Sequence, residues 1–384
     1  MSAGVHDRSV APEDLAKISG QFRLEGILVD GGPYGNGHIN DTFAVRVRMA
    51  SGDPRRYILQ RINTRVFPAP VQLMQNVEAV TRHLARTILA EGGDPLRETL
   101  TLVPALDGRT FLEEDASFGT GAGFWRSYVF LEGMTAHDTI RTPMDMKEAA
   151  RAFGLFRRRL ADFPAASLHE TIPGFHDTPR RLLAFERAVE RDAAGRAGSV
   201  AEEIAFVRER AKEAGTVMDG LREGRLPWAV THNDTKLNNV MLDDTTGHGL
   251  CVIDLDTVMP GSCLFDFGDA LRFGANTAVE DETDLERVTV SLERFRSFTE
   301  GYLEASGDAV TPAERDLLAF SARLMTYECG VRFLADYLVG DTYFRTHREG
   351  HNLDRARNQF RLVAEMERKA QELERIVRIS GMMV

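Results

Sequence analysis

The sequence predicts an α+β protein with a small β-rich N-terminal part and a larger, mostly helical C-terminal part. The chain has 384 residues, well above the length of one typical domain of about 150 residues. Apolar residues alternate in short runs at first, and recur every three or four positions over most of the remainder. We predict an N-terminal extension over 1–20, where charged and small residues alternate, a β-rich lobe over 21–131 and a helical lobe over 132–384.

Two β-rich runs flank a glycine-rich segment in the N-terminal part. An apolar run over 22–29 leads into the glycines of 31–37, and strand-like alternation follows over 42–47. This arrangement predicts a β-hairpin around a tight turn. The other elements predicted for this part are a strand over 56–62, an amphipathic helix over 71–88 and strands over 101–103 and 125–131.

Beyond residue 133 helical periodicity dominates, with one interruption. Helices are predicted around 149–160, over about 179–222 and from about 284 to the end, the last carrying apolar residues from Phe360 to Val377 on one face. The interruption consists of short apolar strands over 228–230 and 250–253, on either side of a polar loop.

Composition argues against several classes of protein. Lysine and arginine total 47 against 58 aspartate and glutamate, a net charge of −11, which repels phosphate backbones and anionic lipids. Three cysteines without paired spacing predict no disulfide framework and indicate a reducing compartment. Residues 1–17 contain no apolar stretch of signal-peptide length, and no apolar run in the sequence reaches the length of a membrane span. We expect a cytoplasmic monomer with neither a nucleic-acid nor a membrane partner.

The polar loop and the strand after it contain the residues that favour chemistry. Asp234 and Asn239 lie five positions apart in this loop, and Asp254 follows the second strand. Phosphoryl transfer needs a group that accepts the proton of the attacking hydroxyl, with oxygen ligands for magnesium beside it. The alternative is that these residues only form turns. A second aspartate, Asp256, would face the same way as Asp254 if both lay on a strand.

Several segments together resemble the aminoglycoside phosphotransferase and choline kinase family, which has the bilobal protein-kinase-like fold. The segments that carry the resemblance are 34–40, 57–60, 231–239, 253–257, 266–269 and 328–337. Within this family the sequence is most similar to the N-acetylhexosamine 1-kinases, over about residues 20 to 375. The 231–239 loop identifies only the wider family, whereas the other segments together are specific to the hexosamine kinases.

The resemblance implies roles for individual residues. Asp234 matches the catalytic base, and Asn239 and Asp254 match the ligands of a magnesium ion, with Asp256 as a further ligand or a turn residue. Asp266 and Asp269 are expected to brace the loop or to cap the following helix. The residues matched to ATP binding are Gly35, Gly37, Gln60 and Leu131. Gln60 occupies the position of a phosphate-pairing lysine in the wider family, and the role of Glu78, its expected helical partner, is therefore open.

The acceptor side of the site is also implied by the resemblance. His38, Phe273, Arg332 and Tyr343 occupy positions that bind the sugar, and polar side chains of these types suit a polyol. Arg332 has an alternative, an ion pair with Asp336 one helical turn later.

The resemblance implies ATP- and Mg²⁺-dependent phosphorylation of the anomeric hydroxyl of N-acetylglucosamine or N-acetylgalactosamine. The alternatives are a kinase of the same fold with a cationic acceptor, such as an aminoglycoside or choline, and a nucleotide-binding pseudokinase. A cationic acceptor would favour several carboxylates or an aromatic cage, and Gln60 alone supports the pseudokinase.

Overall fold

The computed structural model describes residues 10–35, 39–115 and 122–382 and divides the chain into two compact units. The first unit ends at Met134 and contains an antiparallel sheet, and the second begins at Thr135 and is mostly helical. A small β-rich part followed by a larger helical part is the fold class that the sequence predicts, and the prediction is confirmed.

The sheet of the first unit has the strand order β1-β2-β3-β6-β4, with β5 also paired to β6. Strands β1 and β2 form the predicted hairpin, and Gly35 lies in the turn between them. The elements of this unit are α1 (Pro12–Ser19), β1 (Ile27–Pro33), β2 (Asp41–Arg48), β3 (Pro54–Ile62), α2 (Pro70–Ala90), α3 (Pro95–Glu98), β4 (Leu102–Val103), β5 (Leu112–Glu114), β6 (Gly123–Val129) and, at the junction of the units, β7 (Met134–Thr135).

The N-terminal segment differs from the sequence prediction, which treats residues 1–20 as an extension. Helix α1 begins at Pro12, a residue whose fixed backbone angle suits the first helical turn. Its Leu15 and Ile18 belong to the same buried core as Phe43 and Leu59 of the sheet. Because only one short side of this helix is apolar, the alternation of charged and small residues in the sequence conceals it.

The second unit consists of helices around a small three-stranded sheet, of which β7 is one strand, and a separate pair of strands. Helix α10 packs against α5, α8 and α11, and its buried residues share one apolar core with those of α5 and α11. The elements of this unit are α4 (Pro143–Arg159), α5 (Thr178–Arg191), α6 (Ala201–Arg210), α7 (Thr216–Arg222), β8 (Ala229–Thr231), β9 (Val240–Asp243), β10 (Gly249–Val252), β11 (Met259–Gly261), α8 (Cys263–Gly274), α9 (Leu292–Ser306), α10 (Pro312–Val339), α11 (His351–Arg368) and α12 (Ala370–Gly381).

The predicted interruption contains more structure than the sequence indicates. The predicted strands correspond to β8 and β10, but β8 pairs with β11 and β10 pairs with β9, both antiparallel. Strands β9 and β11 and helix α8 are not predicted from the sequence. Strands of three or four residues are too short to show alternation, and β11 contains a proline.

The predicted C-terminal helix is two helices. Its apolar side continues from Phe360 to Val377, but Lys369 leaves helical geometry between α11 and α12. The ammonium group of Lys369 donates to the backbone oxygen of Val290 and to the hydroxyl of Thr289, both at 2.9 Å. These tertiary contacts accompany a break that periodicity alone does not reveal. No helix among the described residues combines the length and the apolar composition that a membrane span requires.

Candidate active site

The predicted catalytic residue Asp234 lies in the loop that joins β8 to β9, here named the Asp234 loop (232–239). Asn233 adopts a left-handed backbone conformation, φ 65°, which asparagine tolerates better than most residues. Its side-chain amide donates to the backbone oxygens of Thr257, at 2.8 Å, and Thr231, at 3.3 Å. A strained position is thus fixed by buried hydrogen bonds directly before Asp234.

One buried carboxylate on α8 holds the start of this loop. Asp266 accepts the backbone N–H groups of His232 at 2.9 Å and of Asn233 at 2.7 Å. The Thr235 hydroxyl donates to the backbone oxygen of Asp266 at 2.6 Å. Burial raises the pKa of the Asp266 carboxyl, although the groups that it binds oppose this rise. Asp266 therefore braces the loop, which is one of the two roles expected from the sequence.

The ring of His232 connects the Asp234 loop to the end of β10. Its Nε2 lies 2.8 Å from the backbone oxygen of Ile253, and its Nδ1 lies 3.3 Å from the backbone nitrogen of Asp234. Because a carbonyl oxygen can only accept, Nε2 carries the proton and Nδ1 accepts from Asp234. The ring packs edge-on against Phe153 and Phe156 of α4, so its orientation is fixed.

Both carboxylate oxygens of Asp234 have a donor. The Lys236 ammonium lies 2.8 Å from Oδ1, and the Asn239 amide nitrogen lies 3.2 Å from Oδ2. Desolvation would lower the pKa of Lys236, but the carboxylates of Asp234 and Asp269 raise it above its usual value. A charged lysine is thus held against the predicted base, with 39% of its side chain exposed.

The same contacts determine which end of the Asn239 amide is available. Its nitrogen also donates to the backbone oxygen of Asp234 at 2.8 Å. Since a carbonyl cannot donate, the amide cannot be reversed. No described residue donates to Oδ1 of Asn239, which can therefore act as a ligand. Asn239 is 7% exposed, so this oxygen is held within the fold.

Asp254 reaches the same region from β10. The backbone N–H of Ile253 donates to the oxygen of Asn239 at 2.9 Å, which brings the end of β10 beside the Asp234 loop. Asp254 itself has a left-handed backbone, φ 60°, at the start of a short 3₁₀ helix over Leu255–Thr257. The expectation that Asp256 faces the same way on a strand is wrong, because neither aspartate lies on a strand. Asp256 is 2% exposed.

The donor set of this region suits a hard divalent cation. Asn239 and Asp254 supply an amide and a carboxylate oxygen, the ligand types that Mg²⁺ prefers when phosphates and water complete its coordination. Within the described ranges no group of three or more His, Cys, Asp or Glu side chains is arranged around a metal position. The metal roles of Asn239, Asp254 and Asp256 stay predictions.

One face of α10 connects the Asp234 loop to the predicted acceptor residues. Glu328, Arg332 and Asp336 follow at four-residue spacing, which places them on one side of the helix. Glu328 lies 2.9 Å from Nδ1 of His176 and accepts the Thr178 hydroxyl at 2.6 Å.

The His176 ring completes this connection. Its Nε2 lies 3.2 Å from the backbone oxygen of Asn233, the residue before Asp234. Burial alone would raise the pKa of the Glu328 carboxyl, but His176, Arg332 and Thr178 hold it below its usual value.

Arg332 is positioned by aromatic rings. Its guanidinium carbon lies 5.2 Å from the centre of the Phe175 ring and 5.4 Å from that of Phe344. Among the described residues Arg332 has no hydrogen bond or ion pair, so the alternative of a pair with Asp336 is wrong. Arg181 lies close by, and burial together with the positive charge of Arg332 lowers its pKa. The unit thus contains two adjacent cations, and the donors of Arg332 have no acceptor in the part of the chain that the structure describes.

The carboxylate of Asp336 is occupied by the loop after α10, here named the Tyr343 loop (340–344). It accepts the backbone N–H groups of Thr342, Tyr343 and Phe344 at 2.8–2.9 Å. The Asn352 amide also donates to it at 2.9 Å. Asp336 thereby places Phe344 against Arg332 and leaves the Tyr343 side chain exposed.

The remaining predicted acceptor residues have fewer described contacts with the Asp234 loop and with α10. Tyr343 is 65% exposed and contacts the Phe344 ring edge-on at 4.8 Å. Phe273 is half-buried on α8, directly after Arg272, which pairs with Asp269 at 2.8 Å. The structure gives no described contact that joins Phe273 to Tyr343.

The residues predicted to bind ATP belong to the first unit. Gly35 has φ 73°, a conformation that favours glycine. Leu131 is buried, and Gln60 is half-buried with hydrogen bonds to Thr42 and Arg126. Glu78 contacts Arg82 and Thr110 and has no described contact with Gln60. The predicted residues Gly37 and His38 lie outside the described ranges.

Sequence reasoning missed several residues of the site. Lys236 stands two positions after Asp234, a short spacing that signals a direct contact in a tight loop. Glu328 stands on a largely apolar helix, where a charged residue requires a partner. Arg126 is a buried cation on a strand, 1% exposed. His176, Arg181, Phe175 and Phe344 show no comparable signal, because their contacts are distant in sequence.

A family model described as the phosphotransferase enzyme family, APH, matches residues 30–317. The match covers well over half of the chain. The chain belongs to the APH phosphotransferase family.

Solved structures support this assignment at the level of the fold. An aminoglycoside phosphotransferase from Alicyclobacillus acidocaldarius subsp. acidocaldarius DSM 446 is 14% identical, with a TM-score of 0.60 and coverage of 99% of each chain. A microcompartment-associated aminopropanol kinase is 15% identical, with a TM-score of 0.56 and coverage of 94% of this chain and 98% of its own.

A third similar structure is a spectinomycin phosphotransferase in complex with ADP and its antibiotic. It is 13% identical, with a TM-score of 0.55 and coverage of 94% of this chain and 99% of its own. The protein-kinase-like fold that the sequence predicts is confirmed, together with the wider phosphotransferase family.

Proposed function

We propose that this phosphotransferase transfers the γ-phosphoryl group of ATP to the anomeric hydroxyl of an N-acetylhexosamine, N-acetylglucosamine or N-acetylgalactosamine. The observation that carries the chemistry is the geometry around Asp234, whose two carboxylate oxygens are each held by one donor. Each oxygen keeps a second lone pair. A hydroxyl group that donates to one of them is oriented for attack. Its proton passes to Asp234 as its oxygen bonds to the γ-phosphorus, while the bond from that phosphorus to the bridging oxygen breaks and ADP leaves.

A divalent cation, Mg²⁺ by preference, fits the oxygens of Asn239 and Asp254. When bound, it would neutralise negative charge on the phosphates. Lys236 adds a charge of the chain itself, since its ammonium lies 2.8 Å from Asp234 and is partly exposed. It would stabilise the charge that develops on the transferred group. A solved amicoumacin kinase with similar fold, 12% identical, is in complex with AMP-PNP and Ca²⁺, which supports a nucleotide and a divalent metal.

The surroundings of Arg332 support an acceptor without positive charge. Its guanidinium is held by two rings and has donors to spare, and Arg181 adds a second positive charge close by. A hydroxyl, a ring oxygen or an acetyl carbonyl accepts hydrogen bonds from such a group. An ammonium group would be repelled by both arginines.

The competing proposal is a cationic acceptor, which the names of the aminopropanol and spectinomycin relatives suggest. It would require carboxylates free to bind an amine. In the described part of the second unit, several carboxylates already have side-chain partners. Glu280 pairs with Arg272, Asp281 with His351, and Glu328 with His176. This occupancy favours the neutral sugar.

An acceptor panel tests the proposal. ADP release is measured with Mg²⁺ and ATP over N-acetylglucosamine, N-acetylgalactosamine, glucose, choline, 1-amino-2-propanol and spectinomycin. We expect kcat/KM to be highest for an N-acetylhexosamine and at least about 100-fold lower for the amines. Turnover of an amine with none of the N-acetylhexosamines would overturn the substrate. Nucleotide binding without turnover of any acceptor would favour the pseudokinase.

A matched pair of variants refines the same test. Arg332→Met removes the free donors but keeps a long side chain between the rings, whereas Arg181→Met removes the neighbouring cation. We expect Arg332→Met to raise KM for the N-acetylhexosamine by about tenfold, the value of one or two lost hydrogen bonds. A fall in KM for the amines in either variant would show that the two arginines select against positive charge.

A further inference from the structure

A row of polar side chains crosses three strands of the first unit. Thr42 on β2 pairs with Gln60 on β3, and Gln60 pairs with Arg126 on β6, at directly opposite positions. Side chains at paired positions point to the same face of a sheet. In the next row, Phe43 pairs with Leu59, and both are buried in the apolar core on the other face.

Each hydrogen bond along this row is donated in the same direction, from Arg126 to Gln60 and from Gln60 to Thr42. The Nε of Arg126 donates to Oε1 of Gln60 at 3.0 Å, and Nε2 of Gln60 donates to the hydroxyl of Thr42 at 3.0 Å. A guanidinium group has no acceptor, so Gln60 must turn its oxygen toward Arg126 and its NH₂ group away from it. The buried cation therefore fixes the amide with its donor end outward.

The outer end of the row presents donors only. Within the described residues one N–H of Gln60 has no acceptor, and the Thr42 hydroxyl, which accepts from Gln60, has its own proton to donate. Both side chains are half-buried, whereas Arg126 is 1% exposed. The row lies just after the hairpin turn that contains Gly35. Two donors, aligned by a cation behind them, suit an anionic oxygen.

We propose that Arg126 is a positioning residue that makes Gln60 a phosphate-binding residue, and that Gln60 and Thr42 donate to a phosphate of the nucleotide. The proposal rests on the proposed use of ATP. It explains how a strand position without a lysine can bind a phosphate. The positive charge belongs to Arg126 on the neighbouring strand, and its hydrogen bond to Gln60 turns the NH₂ group of the amide toward the phosphate.

The substitution Gln60→Glu separates this role from a structural one. A carboxylate keeps the acceptor for Arg126 and strengthens that bond, so stability is expected to be equal or higher. It has no N–H to offer and places negative charge beside the phosphate. We expect ATP to bind at least about tenfold more weakly by calorimetry, with adenosine binding unchanged. Arg61→Gln, one position later, removes the same unit of charge and is expected to leave the ratio of ATP to adenosine affinity unchanged.

A charge exchange tests the part that Arg126 plays. Gln60→Lys alone places an ammonium group against Arg126 and removes its acceptor, and we expect ATP affinity to fall by about tenfold. Adding Arg126→Met to Gln60→Lys removes the repulsion, and we expect ATP affinity to return to within a few-fold of the original. Thermal unfolding of each variant shows whether the fold is retained.

The outcomes distinguish this inference from the proposed function. Wild-type turnover with unchanged ATP affinity in Gln60→Glu would overturn the inference alone, as would a double variant no better than Gln60→Lys. A wild-type protein that binds no ATP would overturn both.

Discussion

Two loops of the second unit are each held by one buried aspartate, but to different degrees. Asp266 accepts two N–H groups of the Asp234 loop, which is also held through Thr257 and His176. Asp336 accepts three N–H groups of the Tyr343 loop, and the Tyr343 side chain remains 65% exposed. The first loop is mostly buried and carries the proposed chemistry. The second is also held through Asp341, which Arg196 and Asn352 bind, but it leaves Tyr343 exposed and is proposed to contact the acceptor.

This difference indicates how one fold supports different acceptors. The groups that handle the proton and the phosphoryl group must keep their geometry, because small displacements are costly to the rate. The groups that contact the acceptor can vary without disturbing the groups that handle the proton and the phosphoryl group. α10 joins both loops through Glu328 and Asp336, two turns apart on one face, so variants along this helix separate the two roles.

The largest expected effect comes from the proposed base. Asp234→Asn keeps the size of the side chain but removes the proton acceptor, and we expect kcat to fall by about 1,000-fold. Tyr343→Phe is the comparison on the second loop, and we expect it to change mainly KM for the acceptor. Steady-state kinetics measure both, and calorimetry with ATP checks that Asp234→Asn still binds nucleotide. Near-normal turnover of Asp234→Asn would remove Asp234 from its role.

The second-largest effect is expected from Asp266, which holds the first loop. In Asp266→Asn one amide oxygen replaces two carboxylate oxygens, so one of the two loop N–H groups loses its acceptor. We expect kcat to fall by about 100-fold as Asp234 is displaced, with KM for the acceptor changed far less. A variant with lower stability but unchanged kcat would show that the brace serves folding only.

The connection through Glu328 predicts a dependence on pH. Its neighbours lower its pKa below the usual 4.5, so its contribution to stability is complete above that pH and is lost as the pH falls through the lowered pKa. We expect Glu328→Gln to reduce the free energy of unfolding by about 2 kcal/mol at pH 7. Urea unfolding at a series of pH values should show this difference shrinking below pH 4.5. A difference that stays constant with pH would contradict a role for the charge.

The smallest expected effect lies on the second loop. Asp336→Asn loses part of its bonding to the three N–H groups, and we expect KM for the acceptor to rise by about fivefold, equivalent to about 1 kcal/mol. The value of kcat with the same acceptor should change little, which is the reverse of Asp266→Asn. If both variants reduced kcat equally, the two loops would act as one unit and the distinction between them would be lost.

The sequence predicts the first loop far better than the second. The spacing of Asp234, Asn239 and Asp254 is local, and short strands flank it, so pattern and chemistry indicate the same place. In the second loop, backbone N–H groups donate to Asp336, and Phe344 packs against Arg332, which in turn contacts Phe175, more than 150 positions away. Backbone N–H groups leave no mark in a sequence, and ring contacts between distant segments depend on the packing of whole helices.

The errors in the predicted fold also arise where the sequence pattern gives no signal. β11 is three residues long and contains Pro260, so its pairing with β8 has no periodicity to reveal it. Helix α1 has too few apolar residues for its pattern to stand out among charged neighbours. The alternation rule also fails at Asp256, because β10 ends at Val252, before either aspartate.

The position of the phosphate in the product tests the central claim most directly. The wild-type protein is incubated with ATP, Mg²⁺ and N-acetylglucosamine or N-acetylgalactosamine, and the product is examined by phosphorus and proton NMR. We predict one phosphate ester coupled to the anomeric proton, and no such product from Asp234→Asn under the same conditions. A phosphate on any other hydroxyl, or no sugar phosphate despite turnover of an amine acceptor, would contradict the proposed function.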